Sequence, residues 1–127
     1  DDMQDIYPEL AKAELYILLT PVSFGGFHSE LKKAIDRFMP LILPTYKIYE
    51  GELHHQPRYS KPEKLFSIGI LDDDFKKQET TFRLATQRLK RAFFVSEADA
   101  VCLSKEEVNN SGLEKIKAGF NEMGLKV

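Results

Sequence analysis

The stretch LYILLTPVSFGGFHSELKKAIDRF, residues 15–38, decides the fold class of this chain. Its first six residues are continuously apolar and stop at Pro21. So short a run predicts a β-strand rather than a helix, and its lack of alternation predicts burial on both faces. The following PVSFGGFHS is dense in turn formers, and Ser29 is the expected N-cap of a helix. Leu31, Ala34, Ile35 and Phe38 then recur on one face at helical spacing, with Lys32, Lys33 and Asp36 largely off it, until Pro40 stops the element.

The same alternation continues on both sides of this stretch. Upstream, Ile6, Leu10 and Ala13 predict a short helix over residues 4–13, with Asp1, Asp2 and Asp5 near its positive end. Pro8 is tolerable there only in the first turn, so a late or frayed start is expected. Downstream, LFSIGIL, residues 65–71, is a second buried strand in which Gly69 points to a close approach by another group. It ends in the acidic turn Asp72-Asp73-Asp74. Phe82, Ala85, Leu89, Ala92 and Phe93 predict a long helix over 77–95, and residues 100–103 a short third strand. Two capping boxes, Ser104 with Glu107 and Ser111 with Glu114, then compete to start a helix carrying Leu113, Ile116, Phe120 and Met123, which Gly124 closes. Between these units no period persists over residues 41–64. Pro44, Gly51, Pro57 and Pro62 break that segment, and it reads as a long inserted loop that caps a site or meets a partner.

Buried strands separated by helices imply an α/β domain with parallel pairing and right-handed crossovers. Three strands make a small sheet, and the first of them would offer an uncovered apolar edge. Either a further segment of the same protein or another copy of the chain is expected against it. Because residue 1 is Asp and a helix feeds straight into a strand, an upstream segment is expected.

The 127 residues are 43% hydrophobic and 30% charged, with a formal net charge of -2. That suits one domain with its own core and supplies no basic field for nucleic-acid phosphates. The longest nearly apolar stretch, residues 38–44, is too short to cross a bilayer, and no basic-then-apolar leader opens the chain. Cys102 is the single cysteine. It rules out an internal disulfide framework, and its apolar surroundings fit a buried thiol in a reducing, cytoplasmic setting.

Ligands of open parallel sheets collect at the carboxyl ends of the strands, which here means residues 20–29 and 71–75. Gly25 and Gly26 let backbone amides approach a flat polar ligand, Phe24 and Phe27 are placed to flank a ring, and Thr20, Ser23 and Ser29 carry hydroxyls. A flavin suits such a site, because its ring needs a wall together with donors along its polar edge.

The segment TPVSFGGFHSELKKAIDRF, residues 20–38, resembles the region after the third strand of the NADPH-dependent FMN reductase-like flavoproteins. That branch of the flavodoxin-like superfamily also includes the iron-sulfur flavoproteins. Pro21, Val22, Phe24, Gly25, Leu31, Lys32, Asp36 and Arg37 stand in matching places, and DDMQDIYPEL, residues 1–10, is similar to the preceding helix. Ser23 departs from a common aromatic residue and Ser29 from a frequent glycine. Beyond about residue 40 the resemblance is one of topology.

The resemblance implies that residues 1–127 form a partial flavodoxin-like domain, a three-layer parallel sheet lacking its first two strands and the phosphate-binding loop. It implies FMN as cofactor, held on its ring side only, with Thr20, Pro21, Val22, Ser23, Phe24, Gly25, Gly26, Leu71 and Asp72 as contacts. It further implies an NAD(P)H-dependent oxidoreductase that passes hydride or electrons to a quinone, a flavin or another small acceptor, without a catalytic acid or base. Such reductases pair subunits near the flavin, which would give residues 46–59 an interface role in a homo-oligomer.

Two other functions compete with this one. The chain can be a noncatalytic flavodoxin-like fragment that oligomerises through its exposed sheet edge. It can also be an acidic metal-binding or receiver-like module, with Asp72, Asp73 and Asp74 around Mg²⁺ and Lys105 as counter-charge. Among the remaining polar residues, Asp36 and Arg37 read as a structural pair. His54 and His55 read as solvent-exposed, too few by themselves for zinc.

Overall fold

The computed structural model describes residues 2–60, 62–72 and 75–126, and of Phe75 and Lys76 the backbone alone. The chain is a mixed α/β protein with two sheets. Helix α1 (Met3–Lys12) leads into β1 (Leu15–Ser23), which turns back through β2 (Gly26–Phe27) into α2 (Ser29–Asp36). A 3-10 turn at Met39–Leu41 precedes β3 (Ile42–Tyr49) and β4 (Glu52–Pro57). Then come β5 (Lys64–Leu71), α3 (Phe75–Ala92), β6 (Glu97–Ser104), α4 (Lys105–Asn109) and α5 (Gly112–Glu122).

The larger sheet has the order β2-β1-β5-β6. Strands β1, β5 and β6 run parallel, with Tyr16 beside Leu65 and Leu65 beside Ala98. β2 is a two-residue antiparallel addition opposite Val22 and Ser23. Each parallel neighbour is reached through a connection that carries a helix, as the geometry of parallel pairing demands.

Central strand β5 is buried on both sides from Leu65 to Gly69. On one face Tyr16, Leu18 and Leu65 pack with Ile35 of α2 and with Val95, and Leu71, Ala100 and Cys102 pack with Phe82 of α3. On the other, Phe66, Ile68, Val101 and Leu103 meet Ile116 and Phe120 of α5. Phe66 and Phe82 have no exposed surface at all, and burial of each contributes about 1.5–3 kcal/mol. Gly69 sits in this packing for a steric reason: a Cβ there would stand 2.7 Å from Val22 Cγ2 and 2.9 Å from Phe82 Cε1.

β1 differs from the expectation of cover on both faces. Tyr16, Leu18 and Thr20 are buried, but Ile17 is 51% and Leu19 65% exposed. α5 packs on β5 and β6 and leaves these two side chains outside its cluster. Among the described residues, the outer edge of β1 pairs only with β2, at Val22 and Ser23.

Residues 41–64 are not a structureless loop. β3 and β4 form an antiparallel ribbon with Tyr46 opposite His55 and Tyr49 opposite Glu52. The turn is Glu50-Gly51, at φ of 50° and 79°, the two-residue pattern whose twist matches the flanking strands. Pro44 falls in the register shift between Ile42 and Tyr46, where a missing N–H disturbs no regular ladder.

Several local expectations shift as well. Pro8 lies inside α1, past its first turn, yet the helix starts at Met3. The hydroxyl of Tyr16 donates to the Leu10 carbonyl at 2.7 Å and anchors this helix to β1. Ser29 is the first residue of α2 rather than its cap; His28 caps it, its Nδ1 accepting the Glu30 N–H at 3.4 Å. Both capping candidates near the end are resolved by one box. Ser104 accepts the Glu107 N–H while the Glu107 carboxylate accepts the Ser104 N–H, giving the short α4. Ser111 makes no side-chain cap, and α5 starts afresh at Gly112.

Candidate functional site

At the carboxyl end of β1 the chain folds into a tight hairpin. Ser23 pairs with Gly26 across Phe24-Gly25, whose φ angles are 50° and 75°. Positive φ at both central residues is the geometry hairpin twist favours, and Gly25 meets it without strain. Phe24 does not, since a bulky side chain at positive φ is an outlier. The Phe24 ring is nonetheless fully exposed at the tip.

The other residues of this hairpin serve its attachment to the fold. Thr20 is buried, and its hydroxyl accepts the His28 N–H at 3.0 Å and donates to the Pro21 carbonyl at 2.8 Å. Gly25 is buried against α3, where a Cβ would lie 2.6 Å from the Thr81 Cβ. Val22 packs with Leu71 and Phe82. Phe27 stacks edge-on against Phe82, with ring centroids 5.3 Å apart. Phe24 and Phe27 therefore do not flank one ring: one is in solvent and the other in the core. Pro21 is exposed, and Ser23 and Gly26 are half-buried.

The second loop of the rim follows β5. Leu71 is buried as a whole residue and packs with Phe82, so it backs this rim from the core. Asp72 is exposed and forms an ion pair with Lys105, at the start of α4. Asp73 and Asp74 lie outside the described residues. Among the described residues, no group of three or more His, Cys, Asp or Glu side chains is placed to hold a metal ion.

Sequence reasoning overlooked a third region, the fastening of the β3–β4 ribbon to the end of α3. Arg91 donates to Glu50 at 3.1 Å and to Glu52 at 2.9 Å, and Arg88 also pairs with Glu52. Tyr49 and His54 pack their rings on buried Phe94, at centroid distances of 4.7 and 6.1 Å. Lys47 Nζ lies 5.1 Å from the same ring centroid. The hydrogen bond from His54, followed by that from Arg88 and the nearby arginine charges, holds the Glu52 carboxyl below its ordinary range. The signal that could have revealed the ribbon was Glu50-Gly51 between Tyr46, Ile48 and Tyr49 on one side and Leu53 on the other.

His54 and His55 are half-buried, contrary to the expectation of free surface histidines. Extended β4 does separate them: His54 Nε2 is 3.0 Å from Glu52 Oε2, and His55 Nδ1 is 2.8 Å from the Leu43 carbonyl. Asp36 pairs with Lys32 one turn earlier on α2, while the Arg37 carbonyl accepts the Tyr7 hydroxyl at 2.9 Å. Cys102 is fully buried, and desolvation pushes its thiol up to about 11. A thiol so protected remains protonated and poorly nucleophilic at neutral pH.

A scan against models of known protein families finds no match to this chain, and a search of curated proteins finds none either. No helix among the described residues is long and apolar enough to cross a membrane.

Proposed function

We propose that the chain is part of a flavodoxin-like three-layer domain and forms the ring side of an FMN site. The site would serve an oxidoreductase that takes hydride from NAD(P)H and passes it to a quinone, a flavin or another small acceptor. The observation that carries this proposal is Phe24. A bulky residue in a sparsely populated backbone region costs about 1–3 kcal/mol. Phe24 recovers none of that by packing, because its side chain is fully exposed. It projects from the carboxyl end of a strand in a parallel sheet, where such sheets gather ligands. A planar ligand laid against it would bury the ring and offset the strain.

The residues present fit a flavin in part. Phe24 and exposed Pro21 suit a wall for the ring system, and Ser23, Gly26 and Asp72 supply polar groups around it. Thr20 and Gly25 are engaged by the fold itself, so they hold the hairpin rather than touch the ligand. Val22 and Leu71 back the site from the core. FMN, when bound, supplies the hydride-accepting centre; the protein side orients the ring and keeps water from one face. A reducing cytoplasmic setting and pairing of copies through residues 46–59 belong to the same proposal.

The visible spectrum of purified protein and an FMN fluorescence titration test this function. Yellow protein, or saturable quenching that Phe24→Ala weakens by about tenfold, is the expected result, the loss being that of one aromatic contact. Colourless protein that leaves added FMN unquenched overturns it.

A second function is favoured by Ile17 and Leu19, which are exposed on a strand whose outer edge is largely unpaired. It is a noncatalytic flavodoxin-like unit that self-associates through β1. Sedimentation of the chain is then expected to give oligomers that Ile17→Lys dissolves; a monomer at all concentrations would rule this out.

A further inference from the structure

We infer that the cavity beneath the β3–β4 ribbon is a binding site for a small, neutral aromatic molecule that carries a hydroxyl group, separate from the flavin rim. The cavity has a volume of about 520 Å³. That lies within the roughly 300–1,000 Å³ of small-molecule sites. It opens between α2 and α3 under the ribbon. Ile35 lines it from α2, Met39 from the 3-10 turn that follows, Ala85, Leu89 and Ala92 from α3, and Leu53 from the ribbon. These six side chains present carbon and sulfur only, so the bulk of the occupant is apolar.

Charge at the lining argues for a neutral ligand. Lys32 and Arg88 both border the cavity, but Lys32 is paired with Asp36 and Arg88 with Glu52. A charged occupant would compete with Asp36 or Glu52 for these cations, whereas a neutral one leaves both pairs as they stand. The histidines then set the hydrogen-bond polarity. His55 borders the cavity, and its Nδ1 faces a backbone carbonyl, which only accepts. Nδ1 therefore carries the proton, and Nε2 of the neutral ring is left as an acceptor. His54 Nε2 faces the Glu52 carboxylate, so its Nδ1 is likewise an acceptor in the neutral ring. With apolar walls and two lining imidazoles that each keep one acceptor nitrogen, the cavity suits a hydroxyl donor on a carbon ring. Tyr46, stacked on His55 at 4.1 Å between centroids and also lining the cavity, extends the aromatic surface. The ion pairs of Glu50 and Glu52 with Arg88 and Arg91 fasten the ribbon as a roof.

The probe is 1-naphthol, titrated into the full chain and followed by amide chemical shifts. 1-Methoxynaphthalene, which cannot donate, and 1-naphthoate, which is charged, serve as twins. Saturable shifts centred on Ile35, Leu53, Ala85 and Leu89 are expected for 1-naphthol. Each twin should bind about fivefold to tenfold more weakly, the scale of one net hydrogen bond. His55→Phe should abolish the preference for naphthol over its methyl ether. Met39→Trp, at the exposed margin of the cavity, should weaken all binding by about tenfold without unfolding the chain. Absence of saturable shifts, shifts centred elsewhere, tighter binding of naphthoate, or an undiminished preference in His55→Phe would each overturn the inference. If His55→Phe does not fold, the ranking of the three ligands on the unaltered chain decides.

Discussion

The Thr20 hydroxyl accepts a hydrogen bond from the His28 backbone N–H at 3.0 Å and donates one to the Pro21 carbonyl at 2.8 Å. One buried side chain thus joins the end of β1 to the residue that caps α2. Thr20→Val keeps the shape and removes both bonds, leaving a backbone donor without its acceptor. A loss of about 1–3 kcal/mol in urea unfolding is expected, most of it restored by Thr20→Ser. An unchanged midpoint for Thr20→Val would show that the hydroxyl does not hold the hairpin.

Gly25 and Phe24 form one turn with opposite tolerances. Gly25→Ala places a methyl group on Thr81 and at a φ of 75°, so it should destabilise the fold by about 1–3 kcal/mol. Phe24→Asn should do the reverse and raise the thermal midpoint by relieving about 1 kcal/mol of strain, because Asn tolerates the left-handed region. If the ring serves FMN, the same substitution weakens FMN binding. A variant both less stable and unimpaired in binding would contradict the account of this residue.

Acid should loosen the far end of β6. The Glu107 carboxyl is held below its ordinary value of 4.5, first by the Ser104 backbone N–H and then by Lys115. A carboxyl depressed in the folded state stabilises fully above its unfolded value. That contribution is lost as pH falls through the lower folded value. Thermal midpoints measured downward from pH 4.5 should accordingly fall, and Glu107→Gln should flatten part of the decline. Glu52, depressed by His54 and the arginines of α3, contributes a slope of the same sign.

Ser67 is fully buried in β5, and its hydroxyl has no hydrogen-bond partner among the described residues. Such a group carries its desolvation cost without return. Ser67→Ala is therefore expected to hold or raise stability by up to about 1 kcal/mol, read from denaturant midpoints. A marked loss would mean that the hydroxyl has a partner in solution, such as an ordered water.

The order of helices and parallel strands was legible because each element carries its own local signal. The runs at 15–20 and 65–71 could be strands and little else, and Phe82, Leu89 and Phe93 could share a face only in a helix. The β3–β4 ribbon was not legible in the same way. Its prolines suggested interruption, whereas one of them occupies a bulge, and its turn uses Glu-Gly rather than the stronger Asn-Gly or Asp-Gly signal. The fate of the candidate site residues was equally hidden. Nothing local distinguishes Phe24 from Phe27, yet one ring is fully exposed and the other lies against Phe82.

Taken alone, the amino-acid sequence determined that β1, β5 and β6 would alternate with helices and pair in parallel, because apolar period and capping chemistry act over a few neighbouring residues. Only the tertiary structure decided which surfaces those elements cover. It left Ile17 and Leu19 exposed and committed Thr20 and Gly25 to the hairpin's own anchorage. It also shaped an open cavity between α2 and α3 beneath a ribbon fastened by Arg88 and Arg91. Burial and pairing of this kind depend on contacts between residues distant in the chain, as from Glu52 to Arg91, and no local pattern encodes them.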